Sequence, residues 1–378
     1  MKSIIFKKNR IKGKKKKRRL SLESSVRQPD WLLVGIVLFL TLFGLIMVAN
    51  ASAVEAYRDF ADKLYYFRLQ FRWVIFGFVS FLVASLFPYQ KLQKLVPLFL
   101  FASFIGLILV ILPRIGFLHF GARRWLNFGG INFQPSEIVK LAFIIYLAAY
   151  LVKKKNYLPL LLVSGLIVIL MMFQPDLGTT VIILGSGFLV YFVSGAPIIQ
   201  VIGLMIFGII GGIILAISSP YRKARFLTFL NPLRDPLGAS YHIRQILIAL
   251  GSGNLFGLGL GQSRQKYEYL PAAATDSIFA VIAEELGFVG ASFLVLVFAL
   301  LIARGFRIAQ RSPDMFGKLL ASGITAWLGL QALVNLGAMV ALVPLTGIPL
   351  PFISYGGSSL LLTLTAAGIL VNISKYIR

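Results

Sequence analysis

The hydrophobic residues of this chain fall in long stretches, which are separated by short segments rich in Pro, Gly and charged residues. A helix needs about 20 apolar residues to cross the hydrocarbon core of a bilayer. Ten stretches approach or reach that length: 31–51, 70–88, 94–113, 134–152, 157–173, 176–194, 197–217, 277–303, 319–342 and 356–374. The pattern therefore predicts an all-α polytopic membrane protein with about ten transmembrane helices.

Composition supports this class. Of the 378 residues, 58% are hydrophobic and 13% are charged, and the mean hydropathy is +0.85. Soluble domains carry roughly 25% charged residues, so a soluble enzyme, a disordered chain and a fibrous chain are excluded. With no cysteine and only two histidines, the sequence offers no disulfide, no thiolate metal site, no cysteine nucleophile and no histidine-based metal cluster.

The net charge of +25 is concentrated at the start of the chain, where the first 27 residues hold 12 of the 38 Lys and Arg residues. Basic loops of a membrane protein stay on the cytoplasmic side. With the tail inside, inner segments hold 23 Lys and Arg residues and outer segments hold 14. We therefore expect an N-in, C-in topology, with a basic cytoplasmic tail at 1–29 and a membrane domain at 30–378. The tail is expected to bind anionic lipids rather than nucleic acid.

The largest outer segment is the loop 218–276, between the seventh and eighth predicted helices. It contains an apolar stretch, 243–250, and a series of glycines between 251 and 261. A structureless loop of this length is uncommon in a compact protein unless it is functional. We expect one or two helices that lie at the membrane interface, with the glycines allowing tight turns.

A first group of polar residues surrounds the start of the fourth predicted helix. Arg123 and Arg124 precede it, and the sequence Gln134-Pro-Ser-Glu137 is typical of a helix start, where Glu137 would complement the helix dipole. Lys140 lies three residues later on the same helix face. Glu137 and Lys140 form either a structural ion pair or a charged element that lines a substrate cavity, and we favour the second interpretation.

Four further acidic residues are candidates for helix N-caps or for catalysis. Asp176 most simply N-caps the sixth predicted helix. Asp276, at the outer end of the eighth, is either an N-cap or a carboxylate that takes a proton from a hydroxyl nucleophile. Glu284 and Glu285 follow about two turns deeper, roughly 12 Å along the helix. Adjacent acids inside an apolar helix are costly, so at least one is expected to meet a partner such as Lys140 or an Arg.

The segment from Pro344 to Ser359 holds three prolines and three glycines and cannot form a lipid-facing helix. We expect a re-entrant or cavity-lining loop that is packed on protein. Its backbone N–H groups and hydroxyls are candidates for holding phosphate or sugar oxygens. The candidate residues are Ser354, Tyr355, Gly356, Gly357, Ser358 and Ser359.

Taken together, these segments resemble the SEDS family of shape, elongation, division and sporulation proteins over roughly 30–378. The matching motifs are Arg123-Arg-Trp125 with Phe133-Gln-Pro-Ser-Glu137, Gln174-Pro-Asp-Leu-Gly-Thr179, Asn231-Pro-Leu-Arg-Asp235, Thr275-Asp276 with Ile278 to Gly287, and Gly347 to Ser359. They occur in the family's order and are highly specific together.

The resemblance implies a peptidoglycan glycosyltransferase that polymerises lipid II, with Asp276 as general base toward the acceptor hydroxyl. It implies substrate-binding roles for Arg123, Arg124, Trp125, Gln134, Glu137, Lys140, Ser354, Tyr355, Gly356 and Gly357. It implies supporting roles for Asp176, Asp235, Glu284 and Glu285. A divalent cation, Mg²⁺ or Mn²⁺, is the expected cofactor at the leaving diphosphate, although the sequence shows no cage for one.

One departure keeps other functions open. The family usually has Pro-Glu-x-His-Thr-Asp-Phe where this chain has Pro271-Ala-Ala-Ala-Thr-Asp-Ser277, so an acid and an imidazole are missing; Glu268 is one candidate substitute for the acid. The alternatives are a non-catalytic division scaffold and a lipid II flippase or transporter. The segment 261–271 resembles the FtsW branch, which favours septal division over a RodA-like role in elongation.

The resemblance also implies partners and a location. The expected partner is a class B penicillin-binding protein with transpeptidase activity, docked on the outer loops and on the eighth and ninth predicted helices. Other division proteins are expected at the same assembly. The expected location is the bacterial cytoplasmic membrane, as a multi-pass protein at the division septum.

Overall fold

The computed structural model describes residues 28–113, 115–119, 122–129, 131–153, 158–230, 238, 240–267 and 269–377. Each of the ten apolar stretches coincides with a helix. These helices are α1 (Trp31–Phe60), α2 (Tyr65–Leu86), α3 (Leu92–Ile111), α4 (Pro135–Leu151), α5 (Leu158–Met172), α6 (Leu177–Val193), α7 (Ile198–Ile217), α10 (Ile278–Arg311), α11 (Met315–Met339) and α12 (Gly357–Ser374). The loop after α7 contributes α8 (Pro220–Leu230) and α9 (Tyr241–Ser252).

The helices are those of a multi-pass membrane protein. Within the described residues, seven helices are long and apolar enough to cross a bilayer, namely α1, α2, α3 (with the short 3₁₀ turn Tyr89–Lys91 before it), α7, α10, α11 and α12. Helices α4, α5 and α6 are shorter, at 17, 15 and 17 residues. The number of actual membrane crossings stays a prediction. On α7 only Val201 is buried, which is the exposure expected of a helix surrounded by lipid.

Helices α8 and α9 agree with the expectation of one or two helices inside the long loop. Their position relative to a membrane surface stays a prediction. Asp235 and the surrounding motif lie in 231–237, outside the described residues, as do Glu268 and the basic tail 1–27.

A three-stranded antiparallel sheet between α3 and α4 was not predicted from the apolar pattern. It consists of β1 (Gly116–His119), β2 (Ala122–Phe128) and β3 (Ile131–Phe133), in that order. Residues Phe117 and Trp125 face each other between β1 and β2. The available signal was Gly129-Gly130 between two alternating segments, because two glycines suit the positive φ angles of a tight hairpin turn; Gly129 has a φ of +58°.

The bundle has two distinct ends. The start of α1 meets the end of α12 where the Asp30 N–H donates to Ser374 Oγ at 3.0 Å, and Arg304 at the end of α10 pairs with Asp30 at 2.8 Å. We call this the tail end. Because α10 runs from Ile278 to Arg311, the residues just before Ile278 lie at the opposite end. Both ends of the described chain therefore share one side, as an N-in, C-in topology requires.

Helix α10 is interrupted near its start. Gly287 has a φ of +68° and a ψ of −169°, which only glycine adopts readily. The preceding loop lies in this break, where the Leu258 and Gly259 N–H groups donate to the Glu284 and Glu285 carbonyls at 3.0 Å each. On the far side of the break, the Phe288 N–H donates to the Asn254 carbonyl at 2.9 Å. The loop thus supplies the backbone hydrogen bonds that the broken helix lacks.

Candidate functional site

Asp276 lies in the turn Pro271–Ser277 that leads into α10, and its side chain is half-buried. The N-cap of α10 is Ser277, so the alternative interpretation of Asp276 as the helix cap is wrong. One carboxylate oxygen, Oδ1, accepts a hydrogen bond from the Thr275 hydroxyl at 2.9 Å. A carboxylate that is positioned but not used as a cap remains available to accept a proton from a ligand.

The backbone of this turn is held by the loop between α11 and α12. The Ser354 hydroxyl donates to the Thr275 carbonyl at 2.6 Å, and the Tyr355 N–H donates to the Ala274 carbonyl at 2.9 Å. From α11, the Asn335 amide donates to the Asp276 carbonyl at 2.8 Å. Three successive carbonyls are therefore satisfied by protein groups, which fixes the direction of the Asp276 side chain.

Two of the donors that were expected to face a substrate are engaged within the protein. The Ser354 hydroxyl and the Tyr355 N–H both brace the Asp276 turn instead. Burial raises the pKa of the Tyr355 phenol to about 12, so it stays protonated at neutral pH. The Gly356 N–H lies 3.3 Å from Gln70 Oε1, and Gly357 packs so closely on Trp73 that no side chain fits there. Any direct substrate contact by these four residues stays a prediction.

A cavity of about 230 Å³ lies beside this turn, and its polar lining residues were not predicted from the sequence. It is lined by Ala224, Arg225, Thr228, Phe229, His242, Ile243, Val343 and Leu345. The His242 Nε2 atom lies 2.7 Å from Ser277 Oγ, and Arg225 Nη1 donates to the Leu345 carbonyl at 3.0 Å. The sequence offered one signal for His242, because the chain has only two histidines.

Glu137 and Lys140 form an ion pair of 2.8 Å on α4, and both side chains are only 2% exposed. Lys140 Nζ also donates to Gln331 Oε1 at 2.9 Å and lies over the Trp327 ring. The Gln331 amide in turn donates to the Pro349 carbonyl at 2.9 Å. The pair is packed inside the bundle and is connected to the bracing loop, which is the geometry of the structural alternative. Its role in binding substrate stays a prediction.

The arginines before α4 lie on β2. Arg124 donates to the Gln174 and Pro175 carbonyls at 3.0 and 2.5 Å, so it fixes the turn between α5 and α6. Arg123 is half-buried, and its Nε atom has no hydrogen-bond partner among the described residues. Arg123 is therefore the better placed of the two to meet an anionic ligand. Trp125 is half-buried on the same strand.

The residues around these arginines act mainly on the backbone. The Gln134 N–H approaches Ser358 Oγ at 3.3 Å. Asp176 N-caps α6 as expected, because Oδ1 accepts from the Thr179 N–H at 3.0 Å. Both contacts hold helix starts at the same end of the bundle as Asp276.

Glu284 and Glu285 are both buried, and one of them meets a cation as expected, but that cation is Lys266 and not Lys140 or an Arg. Lys266 Nζ pairs with Glu285 Oε1 at 3.2 Å and also donates to Asn50 Oδ1 at 2.7 Å. The Ser263 hydroxyl donates to Glu284 Oε2, and backbone N–H groups of the loop complete the set. The cation and most of the donors come from the loop that lies in the α10 break, not from another transmembrane helix.

Among the described residues, no three His, Asp or Glu side chains are grouped closely enough to hold a metal ion. Asp276 offers one carboxylate, and the buried Glu284 and Glu285 carboxylates already bind Ser263 and Lys266. The expected divalent cation stays a prediction.

Comparisons of the sequence and of the fold with known proteins identify the same family. Residues 30–378 match the family model that groups FtsW, RodA and SpoVE, which is described as "Cell cycle protein". The chain is 42% identical over 358 residues to "Stage V sporulation protein E" of Bacillus subtilis, with 93% of this chain and 98% of that protein covered. It is 38% identical to "Probable peptidoglycan glycosyltransferase FtsW" of a Geobacter species, with 92% and 97% covered.

Two solved structures have the same fold. One comes from work on polymerization and crosslinking by a peptidoglycan synthase complex, with a TM-score of 0.75, 30% identity, and 92% of this chain and 97% of that chain covered. The other is the Rod shape determining protein RodA of Thermus thermophilus, with a TM-score of 0.68, 30% identity, and 92% and 96% covered.

Proposed function

The chain belongs to the family of FtsW, RodA and SpoVE cell cycle proteins, and from that premise we propose that it is a peptidoglycan glycosyltransferase that polymerises lipid II in the cytoplasmic membrane. The observation that carries this proposal is the Asp276 carboxylate. It is half-buried at the end of the bundle opposite the tail end, and its backbone is fixed by Asn335 and by the loop after α11.

In the proposed reaction, Asp276 acts as general base. The 4-hydroxyl of the acceptor GlcNAc attacks the anomeric carbon of the donor glycan, and its proton passes to the Asp276 carboxylate. The bond from that carbon to the diphosphate breaks, and undecaprenyl diphosphate leaves with the electron pair. Positioned general bases of this kind typically contribute roughly 10²–10⁴-fold to a rate.

The leaving diphosphate needs positive charge. Arg123, whose Nε atom is buried without a described partner, and Arg225, which lines the cavity beside the Asp276 turn, are the side chains we assign to it. A bound Mg²⁺ or Mn²⁺ would neutralise the same charge.

The comparisons support a role in septal division, because several relatives carry the name FtsW. A second candidate role is peptidoglycan synthesis during sporulation, which is favoured by 42% identity over 98% of the sporulation relative. Deleting the gene and scoring septation in growing cells and cortex formation in spores separates the two roles.

We propose a class B penicillin-binding protein as the partner, since a peptidoglycan synthase complex contains a chain with this fold. The exposed apolar side chains of α10, among them Phe288, Phe293 and Leu296, offer a surface for a single-span partner. The basic tail is proposed to bind anionic lipids of the inner leaflet, and other division proteins complete the assembly at the septum.

Two rival functions make different predictions. A scaffold needs no catalytic carboxylate, and a flippase needs a polar path through the membrane. The polar groups of α4, Glu137 and Lys140, are paired and buried rather than arranged along such a path.

The deciding experiment is lipid II polymerisation by the purified protein, alone and with its cognate transpeptidase, with divalent cations present. We expect glycan strands from the wild type and none from folded Asp276→Ala. If neither protein makes strands with the partner present, the glycosyltransferase proposal is wrong, and lipid II scrambling in liposomes then tests the flippase.

A further inference from the structure

His242 on α9 lies against the turn that carries Asp276. Its Nε2 atom lies 2.7 Å from Ser277 Oγ, at the end of the turn, and the backbone of Pro271, at the start, is close enough to raise the pKa of the ring. Proline has no N–H, so only its carbonyl can face a ring N–H as an acceptor. The neutral ring has one donor and one acceptor nitrogen, so it can donate to Pro271 while it accepts from the Ser277 hydroxyl.

Few other side chains hold the side of the turn that faces α9. Three consecutive alanines, Ala272 to Ala274, occupy its middle and contribute no polar side chain. On its opposite side, Ser354, Tyr355 and Asn335 bind the carbonyls of the three residues from Ala274 to Asp276. His242 is therefore the group that closes the turn from the α9 side.

His242 also lies beside the reactive carboxylate. It lines the cavity of about 230 Å³ together with Arg225. Gly347 lies between the charged groups, because a Cβ atom added there would be 3.7 Å from Asp276 Oδ2 and 3.9 Å from Arg225 Nη1. The carboxylate, the guanidinium and the imidazole thus converge on one small volume.

The charges around the ring favour its neutral form. Burial lowers the pKa of His242, the Asp276 carboxylate opposes this, Arg225 lowers the pKa further, and the Pro271 contact raises it; the net direction is downward. A neutral ring can donate to Pro271 and accept from Ser277 at the same time, whereas the protonated ring has only donors.

We propose that His242 is a positioning residue for the glycosyl transfer, which holds Pro271 and Ser277 and so directs the Asp276 carboxylate toward the cavity. This inference rests on the proposed polymerase activity. His242 lies on α9, which is separate in sequence from the turn that carries Asp276. Its imidazole reaches that turn through the Ser277 hydroxyl.

The test compares three variants of the full-length protein in lipid II polymerisation with the cognate transpeptidase. His242→Leu removes the contact between the imidazole and Ser277 with little change in volume, and His242→Gln keeps one donor and one acceptor. Leu247→Ala, at an exposed position of the same helix, is the control. We expect kcat to fall at least roughly tenfold for His242→Leu, the equivalent of about one lost hydrogen bond, with KM for lipid II nearly unchanged. His242→Gln should recover part of the loss.

A double-mutant cycle with Ser277→Ala gives a readout that a general loss of stability would not move. If the two side chains act together, adding Ser277→Ala to His242→Leu should lower kcat no further. Additive losses, an unchanged kcat for His242→Leu, or a loss that tracks the unfolding temperature without rescue by His242→Gln would each overturn the inference. An inactive wild type would instead refute the proposed polymerase, so the two failures are distinguishable.

Discussion

The Asn335 side chain binds the Asp276 backbone across the bundle, with its amide nitrogen 2.8 Å from the Asp276 carbonyl oxygen. The same amide donates to the Ile348 carbonyl, also at 2.8 Å. One buried group on α11 therefore joins the turn that carries Asp276 to the loop that braces it. A neutral amide suits this position, because two carbonyls need two N–H donors and no charge.

Asn335→Leu should lower both stability and rate. Two buried carbonyls lose their donor, at a cost of roughly 1–3 kcal/mol each. Unfolding in detergent and lipid II polymerisation measure the two effects. Gln93→Leu is the control, because it replaces an exposed amide side chain on α3. Equal behaviour of the two variants would contradict this role of Asn335.

Asp276→Asn should abolish most of the activity while leaving the fold intact. The substitution preserves the shape of the side chain, but an amide cannot take up the proton of the attacking sugar hydroxyl. The rate of glycosyl transfer should therefore fall roughly 10²–10⁴-fold. Asp59→Asn is the matched control, since Asp59 is an exposed carboxylate that pairs with Arg58. Glycan strand formation is measured for both variants, and near-normal synthesis by Asp276→Asn would rule out general-base catalysis by this residue.

Lys140→Met should destabilise the protein by roughly 3–5 kcal/mol, because it leaves the buried Glu137 carboxylate without its cation. Replacing both members, in Glu137→Leu with Lys140→Met, should recover most of this loss. Denaturant unfolding in detergent measures both variants. Arg58→Met, which breaks an exposed pair, should change little. A single variant as stable as the double variant would mean that the ion pair contributes little.

Gly287→Ala should release the loop that lies in the break of α10. The φ of +68° disfavours alanine, and an added Cβ would come within 2.6 Å of the Leu255 carbonyl carbon. We expect a loss above roughly 1 kcal/mol and faster proteolysis within 253–266. Gly251→Ala, at a position on α9 with open space around it, is the control. Equal protease resistance of the two variants would contradict the docking of the loop.

Acid should weaken the contacts of His242. The unfolded histidine titrates near its usual pKa of about 6.5, and the folded one titrates lower. Below pH 6.5 the unfolded state therefore binds more protons, so stability falls as the pH falls toward the folded pKa. We expect the unfolding temperature of the wild type to drop more between pH 7.5 and pH 5 than that of His242→Gln. If the unfolding temperatures of the wild type and His242→Gln fell equally with pH, the lowered pKa of His242 would be contradicted.

The sequence was sufficient where one local property decides the structure. A run of apolar residues is enough to specify an apolar helix, so a helix lies at each of the ten predicted stretches, and seven of the described helices are long enough to span a bilayer. Asp176 as a cap is also a local effect, because its carboxylate binds a backbone N–H three residues later.

The sequence was insufficient where partners are distant along the chain. Lys266 meets Glu285 because the glycines that precede it, Gly257, Gly259 and Gly261, adopt positive φ angles that let the loop enter the break at Gly287. His242 meets Ser277 across 35 residues, and nothing in the local pattern of α9 indicates that contact. The sheet between α3 and α4 likewise depends on pairing between strands, which the apolar pattern does not encode.

The buried acids of α10 have a consequence for the biogenesis of the protein. The side chains that bind them, Asn50, Ser252, Ser263 and Lys266, all precede Glu284 in the chain, so the ribosome makes these groups before it makes the acids. A carboxylate entering a bilayer alone is costly. When this helix reaches the translocon, the groups that bind its acids are therefore already synthesised and can be captured as it inserts. The order of synthesis thus matches the order in which the charges must be compensated.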